Sequence, residues 1–95
     1  MIVTAGFAPH PPIIVSCVGK GRAREAQATV DAMKALAQAM VATQPDVLFV
    51  LSPHGGHSRT GLPLFVADRY RGSFRRFGVA QPVWEFGADQ TLLRE

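Results

Sequence analysis

The chain has little of several things, and each shortage narrows what it can be. It carries one cysteine, Cys17, so no internal disulfide can hold it together, and a reducing cytoplasm is the expected setting. Cys17 lies among Val15, Ser16 and Val18 and reads as a small packed apolar residue rather than a nucleophile. No apolar run approaches the roughly 20 residues of a membrane-spanning helix, so no membrane is expected as a partner. Met1-Ile2-Val3-Thr4 has no basic region, and Pro9–Pro12 interrupts the apolar start, which is not the pattern of a signal peptide. Aromatic residues make up only 8%, and no nucleic-acid motif accompanies the net charge of +3, so nucleic acid is not expected either. Lys20, Arg22 and Arg24, then Arg69, Arg71, Arg75 and Arg76, read as solvated cations.

What remains is globular. Hydrophobic residues are 47% and charged residues 18% of 95, which suits one small domain and excludes a disordered chain. Ile2–Phe7 is a short apolar run closed by a proline-rich segment and predicts a buried strand. From Arg22 to about Thr43 the period changes. Ala26, Val30, Met33, Ala37, Met40 and Val41 recur at three- and four-residue spacing and predict one helical stripe. Gln44-Pro45-Asp46 ends it. Val47–Leu51 is continuously apolar, as in a strand covered on both faces of a parallel sheet. Leu62–Ala67 predicts a weaker strand at an edge, Tyr70–Gly78 a basic, aromatic loop or meander, Val83–Phe86 a short strand, and Ala88–Glu95 the first turns of a helix with Asp89 near its start. The expected class is α/β with a mainly parallel sheet.

Two histidines stand where such a fold puts its ligands. His10 follows the first run in Ala8-Pro9-His10-Pro11-Pro12, and His54 follows the second in Ser52-Pro53-His54-Gly55-Gly56-His57. In a strand–helix–strand unit both leave the carboxyl ends of strands on one sheet edge. Proline and glycine neighbours fix the backbone beside each imidazole, which a preorganised ligand pair requires. A mononuclear non-haem iron site takes two imidazoles and one carboxylate, with open positions for substrate and oxygen. His57 is open to three roles, as a ligand, a group behind a ligand or a substrate contact, and a surface histidine is the simplest account. For the carboxylate, Glu85 and Asp89 are available, Asp46 sits at the wrong end of its strand, and Asp68 follows the weak strand; spacing selects none of them. Gly19-Lys20-Gly21-Arg22 lacks the Ser or Thr of a phosphate-binding loop and reads as a turn with exposed cations. Ser52 and Ser58 stand near histidines but outside any nucleophile elbow, which argues against a serine hydrolase. Phe74, Phe77, Trp84 and Phe86 read as core or interface.

Pro9-His10-Pro11-Pro12-Ile13-Ile14-Val15, then Gly19-Lys20-Gly21, the helix, Ser52-Pro53-His54-Gly55 and finally Tyr70–Gly78 occur in an order that resembles a known family. The chain is similar to the N-terminal part of the class III extradiol ring-cleavage dioxygenases of the B type, in the version found in AmmeMemoRadiSam system protein A. The resemblance runs over nearly all of residues 1–95. It implies the N-terminal portion of a three-layer α/β/α sandwich. As partners it implies a small aromatic, catechol-type substrate and dioxygen. It implies ferrous iron, with Zn²⁺ as the alternative, held by His10 and His54; it assigns no role to His57. The family's glutamate ligand and its acid–base histidine belong to downstream motifs that these 95 residues do not contain. The chain is therefore expected to be an incomplete domain, inactive alone, and whether it acts as an enzyme depends on its completion. An imidazole must be neutral to ligate, so such binding weakens below about pH 6.5. The alternative expectation is a non-catalytic α/β binding module of a multi-protein system; a homo-oligomer is compatible with either.

Overall fold

A computed structural model describes all residues, Met1–Glu95. It is a mixed helix and strand structure in which one helix and one hairpin are the regular parts. After the proline-rich segment, Pro12–Ile14 forms a 3-10 turn, α1 follows over Ser16–Gly19, and a second 3-10 stretch, Lys20–Ala26, leads into α2 over Gln27–Ala42. Two strands, β1 (Arg69–Ser73) and β2 (Val83–Gly87), come much later, and a 3-10 turn at Leu92–Arg94 ends the order.

The helix expected from Arg22 is present, but its first turn is wound as 3-10 and regular α geometry begins at Gln27. Its half-buried positions are Thr29, Val30, Met33, Leu36 and Met40. The predicted stripe is corrected at two places. Ala37 and Val41 face water, Val41 being 71% exposed, and Leu36 takes the contact instead. Gly6 explains the choice. A methyl group at Gly6 would lie 3.0 Å from Leu36 Cδ1 and 3.5 Å from Met40 Sδ, so the N-terminal run crosses α2 at its glycine. A shallow groove lined by Phe7, Pro9, Ala32, Met33 and Leu36, among others, separates the two.

Helix α2 ends as its sequence requires. Thr43 Oγ1 donates to the Met40 carbonyl at 2.7 Å, and Gln44 adopts a left-handed φ of 50° before Pro45. Gly19 is needed where it stands, because a Cβ there would overlap the carbonyl oxygen of Ile13. Cys17 is a half-buried free thiol, in keeping with packing.

The sheet departs from expectation. Its two strands are antiparallel and paired Arg69↔Gly87, Arg71↔Glu85 and Ser73↔Val83. The parallel pairing expected of Ile2–Phe7 and Val47–Leu51 is not formed, and Leu62–Ala67 is not a strand. No backbone–backbone hydrogen bond reaches residues 1–10 or 45–67. Tyr70–Gly78, expected to be a loop or meander, opens with β1, and Val83–Phe86 is the strand that the sequence predicts. The C-terminal helix start reduces to a single 3-10 turn, with Asp89 Oδ1 accepting from Leu92 N–H at 2.8 Å.

No residue is fully buried, and the accessible surface is 8511 Å². A folded monomer of 10.2 kDa exposes about 5,300 Å². The excess is roughly 3,200 Å², and apolar side chains are uncovered all along the chain: Phe7 wholly, Phe49 to 63% and Phe86, in β2, to 62%. The radius of gyration, 15.3 Å, likewise exceeds the roughly 12.4 Å of a compact domain of this length. No helix is long and apolar enough to cross a membrane.

Candidate metal centre

The two histidines singled out by their motifs meet. His10 Nε2 and His54 Nε2 are 2.8 Å apart, across 44 residues of chain, and their rings stand edge to face at 87° with centroids 4.7 Å apart. Each is held by short-range geometry. His10 precedes Pro11, which is extended (φ −68°, ψ 135°) and whose carbonyl accepts from Ile14 N–H at 3.2 Å. The proline ring keeps His10 out of helical conformation, and the 3-10 turn behind it fixes the direction of entry. His54 lies in a turn in which its own N–H donates to Ser52 Oγ at 3.2 Å.

The rings share a hydrogen bond, donated by whichever Nε2 bears the proton. The same separation fits a shared cation. Two imidazole nitrogens bound at 2.0–2.1 Å and at a right angle would sit about 2.9 Å apart. The separation suits adjacent, right-angle positions on a six-coordinate iron, with both rings as Nδ1–H tautomers, whereas a tetrahedral zinc would hold the two nitrogens about 3.3 Å apart.

The third ligand is not assembled. No group of three or more His, Cys, Asp or Glu side chains converges. Glu85 is engaged by Arg69 Nη1 at 2.7 Å, and Asp89 caps the last turn. His57 is exposed and hydrogen-bonds to neither member of the pair. Glu25 is occupied too: it draws Arg22 into an exposed ion pair at 3.2 Å, and its hydrogen bond and charge raise the guanidinium pKa. Lys20 and Gly21, expected in a glycine-rich turn, are instead wound into the 3-10 stretch that leads into α2.

What sequence reasoning passed over is the hydroxyl of Ser52. The signal was present as serine two residues before an amide donor, with proline between, which favours a side-chain-closed turn.

The chain is similar to Protein CA_C1420 of Clostridium acetobutylicum, being 32% identical to it over 84 residues. That match covers 88% of this chain and 18% of the relative, so the chain spans less than one fifth of the relative's length. No protein-family profile matches the chain. No solved structure matches it.

Proposed function

We propose that His10 and His54 form half of a non-haem metal centre in an extradiol dioxygenase-like domain, a three-layer α/β/α sandwich of which these residues make the N-terminal portion. The observation that carries this reading is the 2.8 Å approach of the two Nε2 atoms. Two further facts support it. Apolar runs beside both histidines stand without ladder partners, which suits a larger sheet, and the matched relative is several times longer than the stretch it shares.

His10 Nε2 and His54 Nε2 would hold the ion, and His57 would lie toward substrate. Bound there, ferrous iron would supply the redox centre at which a catechol-type diol and dioxygen react, with zinc the alternative occupant. The residues of this chain contribute placement: proline fixes one imidazole, a closed turn fixes the other, and the pair leaves the remaining ion positions open. A carboxylate and an acid–base group have to come from elsewhere, so the 95 residues alone should not turn over.

Calorimetric titration of Fe²⁺ (anaerobic) and Zn²⁺ into the chain and into H10A/H54A tests the assignment. Affinity should fall more than about 100-fold in the double variant, beyond the 10–100-fold that outer partners typically govern. Equal binding by both proteins would remove the pair as ligands. Oxygen uptake with catechols should stay at background, and vigorous ring cleavage by the 95 residues would show that the reading of an incomplete centre is wrong.

A second reading, a binding module without catalysis, draws on the hairpin. Of its four arginines, only Arg69 has an acidic partner, leaving Arg71, Arg75 and Arg76 free for an anionic surface. Such binding would weaken with salt and ignore chelators.

A further inference from the structure

We infer that Ser52 is the positioning residue of the candidate metal centre, its hydroxyl setting the imidazole of His54 opposite that of His10; the inference rests on the metal-pair reading above. The argument begins with what does not hold His54. Residues 45–67 make no backbone–backbone hydrogen bond, and His54 is exposed, so neither a ladder nor packing fixes it. Yet its Nε2 lies 2.8 Å from a nitrogen 44 residues away. The one hydrogen bond on the His54 backbone is its N–H to Ser52 Oγ, 3.2 Å.

Pro53 strengthens that bond's hold. It has no N–H to compete for the Ser52 oxygen, and its ring restricts φ between the two partners. Serine and proline therefore close the turn jointly, and the serine oxygen decides where the His54 amide, and with it the start of its side chain, points. His10 needs no such device because prolines stand on both sides of it and the 3-10 turn follows. The two halves of the pair are thus held by different means, and Ser52 is the replaceable one.

The same loop provides its own control. Thr60 N–H donates to Ser58 Oγ at 3.3 Å, a matching turn beginning four residues beyond His54 that touches neither ring. If Ser52 acts through His54, Ser52→Ala should reduce Zn²⁺ affinity of the full chain about 10-fold, at the lower end of what outer partners govern. Ser52→Thr, which keeps the oxygen, should restore it to within about threefold, and Ser58→Ala should leave it unchanged. Co²⁺ absorption should shift in S52A alone, since its d–d bands report ligand placement. Without any metal, amide exchange at His54 should quicken in S52A and recover in S52T. Wild-type affinity in S52A, with binding lost in H10A/H54A, overturns this inference alone. An equal loss in S58A also overturns it, because the effect would then be general loosening of the loop. Equal Zn²⁺ binding by the chain and H10A/H54A removes the metal pair itself, and this inference with it.

Discussion

The hairpin and the histidine-bearing runs solve the same problem with opposite success. Strands β1 and β2 satisfy each other's backbone through a five-pair antiparallel register. Around them the contacts are local: Phe74 meets Trp84 edge to face at 5.5 Å, Tyr70 Oη–H donates to the Phe65 carbonyl, and Gln90 Nε2–H donates to that of Ala67. Ile2–Phe7 and Val47–Leu51 are more apolar, yet they have no ladder partner. A hairpin needs only a short return of its own chain, whereas a doubly covered strand needs neighbours on two edges and two faces. Apolar content announces how much must be covered; it does not say by what.

The largest effect that would break this contrast falls on Val47–Leu51. With roughly 3,200 Å² of excess surface, the chain should bind an apolar dye and sediment above monomer mass. Phe49→Asp places a charge in the run. Losing the burial of one such side chain costs about 2 kcal/mol, so association should weaken roughly 30-fold. A monomeric wild type that binds no dye would show the runs to be content in water.

The middle-sized effect sharpens the hairpin side. Trp84 is 38% exposed, so truncating it costs less than the roughly 3–5 kcal/mol typical of a core aromatic. Trp84→Ala should destabilise β1 and β2 by about 1–2 kcal/mol, including the edge-to-face pairing with Phe74. Faster amide exchange over Arg69–Ser73, with unchanged Zn²⁺ affinity, is the expected result. A parallel loss of metal binding would mean that the two regions are coupled and the contrast is false.

How much was legible follows the same division. The helix could be read because its periodicity is a local property, and only its contact line slipped, from Ala37 and Val41 to Leu36, since Gly6 crosses at a place that periodicity does not encode. The second hairpin strand was legible from Val83-Trp84-Glu85-Phe86, while its partner was hidden because Arg69, Arg71, Gly72 and Ser73 have weak strand preference and pair only through the closing turn. The approach of His10 and His54 was legible from their two motifs, although the parallel strands expected to bring them together are not formed. The carboxylate was not legible: spacing left Glu85 and Asp89 open, and the structure brings neither to the pair, Glu85 meeting Arg69 and Asp89 capping a turn.

The smallest effect tests whether the hairpin's charges matter to its closure. Arg69 Nη1 and Glu85 Oε1 meet at 2.7 Å, but the side chains are 72% and 46% exposed. Water and salt screen such a pair, and holding two long side chains together costs rotamer entropy, so exposed pairs typically contribute about 0.2–1 kcal/mol. Here the loss should fall near the lower end, because Arg71 stands directly across from Glu85 in the register and can replace Arg69. Arg69→Ala alone should therefore cost about 0.3 kcal/mol, and R69A/R71A more than the sum of its single variants. Additive losses, read by amide exchange across β1 at low salt, would show that Arg71 does not substitute. A cost above about 1 kcal/mol that survives roughly 1 M salt would show that the pair fastens the hairpin more than its aromatic contacts do.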